Sequence, residues 1–399
     1  MKPFPFQYQL RDYFKNQTKT WSWFSDKNIQ KEQIESFKTD LLKNAYRIDP
    51  ETEVEWYAIL QKAKDKLNLS LPVTLYQSQQ VDYNNGAIVS FENEAHLILS
   101  GSILKLLNAD ELLALFAHEL SHIHLNSIEN GDFEITNRII NAIANDYKSE
   151  LFYHETARIF QLFTELYCDY GALKVTENLE TVITTLVKIE TGLEKVSAES
   201  YLKQADEILQ RIEAGSSGES HPEIFIRAKS LALLTNYSVE NITKTEQIVK
   251  GKLDLQLLTI FSKREVFSIT KNLVDLFTKP KWMQSEHNLV LYKQYFAQYN
   301  PNRELIADAD FKAKINNSKD NLKNYYAYVL FDFSMSDTEI KEIAIGHALD
   351  VAEQLELDSF LKAIIKKENK LTEKSFKNFC KKCSVALNQI LESESESSY

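Results

Sequence analysis

Only nine glycines and seven prolines interrupt 399 residues, and this scarcity limits the available folds more than any other feature of the chain. Tight hairpins need residues that tolerate positive φ or preset it, so a chain short of both cannot supply the turns of an all-β fold. Long helices are expected instead, in a mostly α protein of the α+β class. The length exceeds a single ordinary core and implies about two to three domains. With 44% hydrophobic residues and 26% charged, each of them can bury a core.

The formal net charge is −11 and no basic stripe is present, so a phosphate backbone would be repelled and nucleic acid is not an expected partner. The opening residues, Met1-Lys-Pro-Phe-Pro-Phe-Gln-Tyr-Gln-Leu-Arg-Asp12, lack the apolar core and small-residue cleavage site of a signal peptide. No apolar run approaches the ~18–20 residues that cross a bilayer. A soluble, cytoplasmic protein without an integral membrane segment is expected. Cys168, Cys380 and Cys383 are too few for a disulfide framework. Cys380 and Cys383 have CxxC spacing but no second pair, and read as two reduced thiols on a helix.

The pattern along the chain divides it into an N-terminal helical segment (1–49), a central domain (50–238), a helical C-terminal domain (239–391) and a polar tail (392–399) expected to be frayed. Ile29, Ile34, Phe37, Leu41 and Leu42 predict an amphipathic helix over 26–47, and a second helix is expected over 51–67. Three short β-branched or aromatic runs, 72–76, 87–91 and 96–100, predict a small sheet. Helices are then expected over 133–147, 151–176, 179–190 and 197–212. The segment Ala214-Gly-Ser-Ser-Gly-Glu-Ser220 is the most linker-like in the chain.

Just after the sheet, residues 114–125 read Ala-Leu-Phe-Ala-His-Glu-Leu-Ser-His-Ile-His-Leu. Asn108 and Glu111 make a capping-box start for the helix that carries this run. His118 and His122 lie one turn apart on one helical face, so their nitrogens can converge on one zinc ion, with Glu119 beside them to handle a proton. The run before them is almost wholly apolar. Two histidines and a glutamate on so buried a helix are costly unless a metal or hydrogen bonds satisfy them. A third ligand at 128 is excluded, because Leu125 and Ile128 stand where HExxHxxGxxH needs glycine and histidine. Glu165, with Asp169 one turn later among apolar neighbours, offers a ligand and an acceptor for a ligand imidazole. His124, His96 and His154 are expected to support the site from outside or to lie on the surface.

With these motifs in order, the chain resembles the zinc metallopeptidases related to HtpX and to the CAAX prenyl endopeptidase. The resemblance rests on Asn85-Gly-Ala87, the Ala117–His122 helix, Glu165 with Asp169, and Ser220-His-Pro-Glu-Ile-Phe-Ile-Arg227, and it spans about residues 50–236. It implies a gluzincin-type domain with a small sheet packed on the HExxH helix. One Zn2+ is held by His118, His122 and Glu165, Glu119 is the general base, and His221 points into the cleft to stabilise an oxyanion. Asp169 and Arg227 brace the ligands. His221-Pro222 also reads as an ordinary helix start. Cys168 replaces a small residue of the family pattern, either as an extra ligand or as packing. The familiar members are membrane-embedded, and this chain is expected not to be.

The expected activity is hydrolysis of unfolded or extended polypeptides, paired through Gly86, Ala87 and Ile88 or through the strand 96–100 as an added edge strand. Two alternatives remain open: an inert scaffold acting through its helical half, and another zinc hydrolase such as an aminopeptidase. The C-terminal domain shows no catalytic constellation. Residues 328–337 and 344–355 faintly resemble TerB-like modules of stress-response proteins, which implies a protein partner for that half.

Overall fold

A computed structural model describes residues 1–26, 31–213, 215–298 and 300–396. The expectations that fall on Ile29, Ala214 and residues 397–399 lie outside the described residues. The chain divides into two compact units, Met1–Gly251 and Lys252–Tyr399.

The first unit begins with two helices that the sequence reading did not assign, α1 (Pro5–Lys15) and α2 (Thr18–Ser25). Pro5 at the first turn of α1 suits a position whose N–H has no helical partner. Phe6, Leu10 and Phe14, four residues apart, form its buried face. Helix α3 (Lys31–Asn44) stops short of the expected end, and Ala45–Arg47 becomes strand β1. Pairing with the next strand decides this: Ala45, Tyr46 and Arg47 face Ser78, Gln77 and Tyr76 in an antiparallel ladder, and tertiary pairing outweighs a local helical pattern.

After α4 (Val54–Lys66) come β2 (Val73–Ser78), β3 (Asn85–Ser90) and β4 (Ala95–Ser100). The sheet order is β1-β2-β4-β3. Strand β4 therefore lies inside the sheet, parallel to β2 and antiparallel to β3. This excludes 96–100 as a substrate-pairing edge, because its backbone groups are already used on both sides. Strand β3 has β4 on one side only and packs against the helix that follows.

Past the short α5 (Ile103–Leu106), helix α6 (Ala109–Ser127) starts with the expected capping box. Asn108 Oδ1 accepts from Glu111 N at 3.0 Å, and Asn108 N donates to Glu111 Oε2 at 2.9 Å. Helix α7 (Asp132–Ala144) leads to α8 (Leu151–Thr176), which runs along α6. Gly171 permits their close approach, since a Cβ there would stand 1.9 Å from Ser121 Oγ. Phe160 and Phe163 of α8 are almost fully buried, each worth about 1.5–3 kcal/mol of apolar burial.

Helices α9 (Leu179–Thr191), α10 (Ala198–Arg211), α11 (Ile224–Leu234) and α12 (Val239–Lys250) complete this unit. The division between units falls after Gly251, whereas the sequence reading placed it at 238/239. Helix α12 packs on α11 and α8 and buries Thr245 and Val249, so it joins the first unit. The segment 1–49 does so too, through the packing of α1 on α7 and α8.

The second unit contains α13 (Ile260–Phe277), α14 (Glu286–Tyr295), α15 (Ala309–Asn316), α16 (Asp320–Met335), α17 (Lys341–Gln354), α18 (Asp358–Glu368) and α19 (Glu373–Glu396). Its core includes Phe277, Tyr292, Tyr326, Phe333, Ile345 and Leu361. No strand is named there among the described residues, although Leu253 and Ser318 form one isolated bridge. Helix α19 runs through Glu396, past residue 392 where fraying was expected, because extending a formed helix is cheaper than nucleating one. Cys380 and Cys383 are free thiols on this helix. Among the described residues no helix is long and apolar enough to cross a membrane.

Candidate active site

Helix α6 presents His118, Glu119 and His122, α8 presents Glu165 and Asp169, and the start of α11 brings Arg227 behind them. All six come together. Glu165 lies at the centre, 1% exposed. Its Oε2 is 3.3 Å from His118 Nε2 and 3.3 Å from His221 Nε2, and its Oε1 is 3.8 Å from His122 Nε2. Gln161 Nε2 donates to Oε1 at 3.0 Å. Oε2 is buried without a hydrogen-bond partner.

A buried carboxylate oxygen left without a donor while imidazole nitrogens face it is unfavourable by itself. It is the arrangement a divalent cation satisfies, and two imidazoles with one carboxylate are the donor set that suits zinc. The residues therefore fit the metal. A second set overlaps with this one: ligand atoms of His118, His122 and Cys168 lie within 4.8 Å of one another. Cys168 is the weaker donor, because burial first, then the charges of Glu165 and Glu119, push its thiol well above the usual range. Only thiolate binds metal strongly.

The support is continuous with the ligands. Asp169 Oδ1 is 3.0 Å from His118 Nδ1, and Arg227 donates to Asp169 through Nε at 2.8 Å and Nη2 at 2.6 Å. Burial raises the Asp169 carboxyl, but the Arg227 charge outweighs it and the pKa falls well below the normal range. Burial likewise lowers His118, yet the bonds to Asp169 and Glu165 drive it up to about 10. His122 has no such hydrogen-bonded partner, and burial pulls it to about 4. Burial raises Glu165, but His118 facing it brings it to about 2. Glu119 goes the other way, raised by burial to about 7.

His118, Glu119, His122, Asp169 and Arg227 line a cleft of about 970 Å³, with Glu165 buried against His118 and His122. One wall is Asn85, Gly86, Ala87 and Ile88 of β3. Gly86 is required by proximity: a Cβ would meet Glu119 Oε1 at 2.9 Å and Leu115 Cδ1 at 3.1 Å. The part of the lining from Thr185 and Leu186 of α9 and Tyr201 and Gln204 of α10 was not foreseen. Its only signal was the apolar face of two helices, which resembles any core face.

His221 reaches the cleft with its side chain 51% exposed, and its Nδ1 is 2.8 Å from Ser220 Oγ. The other histidines differ from expectation in one case. His96 neither supports the ligands nor lies on the surface; it is 3% exposed among Phe37, Tyr76 and Phe91, with neither ring nitrogen hydrogen-bonded and Nε2 3.7 Å from Glu94 Oε2. His124 Nδ1 lies 2.6 Å from Tyr167 Oη, away from the cleft, and His154 is exposed.

Comparison with known proteins agrees with this geometry. No curated protein and no solved structure gives a significant match. Residues 51–234 match the family model of peptidase family M48, a span that begins between β1 and α4 and ends with α11. This match does not extend to 252–399, so it lends no support to the TerB-like expectation. Over residues 51–234, a little under half of its length, this chain is similar to peptidase family M48, a family of metallopeptidases.

Proposed function

We propose that the chain is a zinc-dependent endopeptidase that hydrolyses unfolded or extended polypeptides. The observation that supports this reading most is the free edge of β3 lying against Glu119, with His118 and His122 lining the same cleft and Glu165 against both of them. An extended backbone added to β3 passes beside Glu119, and main-chain pairing accepts many sequences. A folded substrate has no free strand to offer.

His118, His122 and Glu165 would hold the zinc, which when bound would supply a Lewis acid for the attacking water and the scissile carbonyl. Glu119 takes the proton of the attacking water and delivers it to the leaving amine. His221 donates from Nε2 to the oxyanion that develops on the carbonyl oxygen. Asp169 accepts from His118 Nδ1 and fixes the tautomer that leaves Nε2 free, while Arg227 balances the Asp169 charge. Glu165 is the third ligand in preference to Cys168, since it is already ionised in its site.

The test is to map products from an unfolded polypeptide by mass spectrometry, with and without a chelator. Internal cuts that stop when metal is removed are expected. Release of single N-terminal residues would favour an aminopeptidase, and intact substrate at saturating zinc would favour an inert scaffold.

A further inference from the structure

Arg158 is on α8, seven residues before Glu165, and takes no part in the site described above. Its side chain is only 13% exposed. Glu155 occupies one side of its guanidinium, accepting from Nε at 2.7 Å and from Nη2 at 2.8 Å. This leaves Nη1, which donates to two backbone carbonyls of the loop before His221: Ser216 O at 3.1 Å and Gly218 O at 2.7 Å.

The same loop is tied from its other end. Glu223 accepts from Ser216 Oγ at 2.7 Å, from Ser217 N at 2.9 Å and from Ser217 Oγ at 2.7 Å. Ser216 N donates to Val249 O at 2.8 Å. Gly218 folds directly onto His221, and a Cβ on it would stand 1.9 Å from the His221 carbonyl oxygen. What the sequence suggests is a flexible Gly-Ser linker is thus a closed turn. Helix α8 holds it before His221 through Arg158 and after His221 through Asp169 and Arg227.

We infer that Arg158, with Glu223 and Gly218, is a positioning device that fixes His221 relative to Glu165. The inference rests on the proposed peptidase reading and assigns a purpose to this turn. A half-exposed histidine on an untethered loop would sample many positions. A tethered one is preorganised at 3.3 Å from Glu165 Oε2. Because α8 also carries Glu165 and Asp169, one rigid helix sets both the candidate ligand and the oxyanion donor. Arginine is needed at 158 because its fork engages Glu155 and still leaves Nη1 for the turn, which the point charge of lysine cannot match.

A double-mutant cycle on the full-length zinc-loaded protein tests this, using Arg158→Met, His221→Ala and the pair. Arg158→Met alone is expected to lower kcat about 10- to 100-fold with little change in KM or zinc content. In the His221→Ala background it should change kcat less than about twofold, since the residue it positions is gone. Equal losses in both backgrounds, or no loss in either, would overturn the inference. If Arg158→Met does not fold, Gly218→Ala takes its place in the cycle with the same expectations. Hydrogen exchange on the metal-free protein gives a readout apart from activity: either variant should speed exchange in 215–223 and leave 165–176 unchanged. Unchanged exchange in 215–223 contradicts the tether. A wild type without hydrolysis defeats the peptidase reading itself, whereas an active wild type with an additive cycle defeats only this inference.

Discussion

His118 and His122 lie one turn apart on one helix, yet their surroundings push their protons in opposite directions. Asp169 and Glu165 hold a proton on His118, raising it to about 10, whereas burial strips His122 to about 4. A ligand imidazole must be deprotonated, so zinc has to displace the His118 proton. The sign follows: with the free-state pKa raised, apparent zinc affinity should climb as pH rises from 7 towards 10, by on the order of tenfold per pH unit. Titration calorimetry in buffers of different ionisation enthalpy should record release of close to one proton at pH 7. Affinity independent of pH would contradict the assignment of His118 as a protonated, carboxylate-bound ligand.

The close approach of β3 to α6 brings substrate backbone and proton acceptor together, and Gly86 is where they meet. Gly86→Ala should displace Glu119 while leaving the zinc ligands and the fold in place. We expect kcat to fall by about 10- to 100-fold, with zinc content and melting temperature nearly unchanged. Wild-type kcat in this variant would mean that the strand does not set the position of the base.

Elements with strong local signals were legible in the sequence. The capping box at Asn108 and Glu111 located α6, and the apolar surroundings of Glu165 and Asp169 located the candidate third ligand on α8. Elements defined by partners distant in sequence were not. Ala45–Arg47 is a strand only because β2 lies beside it. Residues 214–220 read as a linker because the order of the turn 215–223 comes from Arg158, about 60 residues away. His96 reads in the sequence as a supporting or a surface residue, and its burial depends on Phe37 and Phe91.

At the scale of the whole molecule, the candidate site and the described contacts named above for it fall within residues 1–251, and the family match ends at 234. The core of 252–399 is built from its own helices. A fragment spanning 1–251 should therefore fold, bind zinc and cleave unfolded polypeptide, because it keeps both the ligands and the packing of α1 and α12. A cut at 238 should do worse, since it removes α12 and exposes the surface of α8 and α11 that α12 covers. An inactive, unfolded 1–251 fragment would show that the second unit is needed for the first to fold.

The most direct measurement compares wild type with Glu119→Gln at saturating zinc. Glu119 is the proposed proton carrier and not a proposed ligand, so the variant should keep about one zinc per chain. It should also keep the wild-type melting temperature, while hydrolysis of an unfolded polypeptide falls by at least about 100-fold. Cleavage by Glu119→Gln at the wild-type rate would contradict the account.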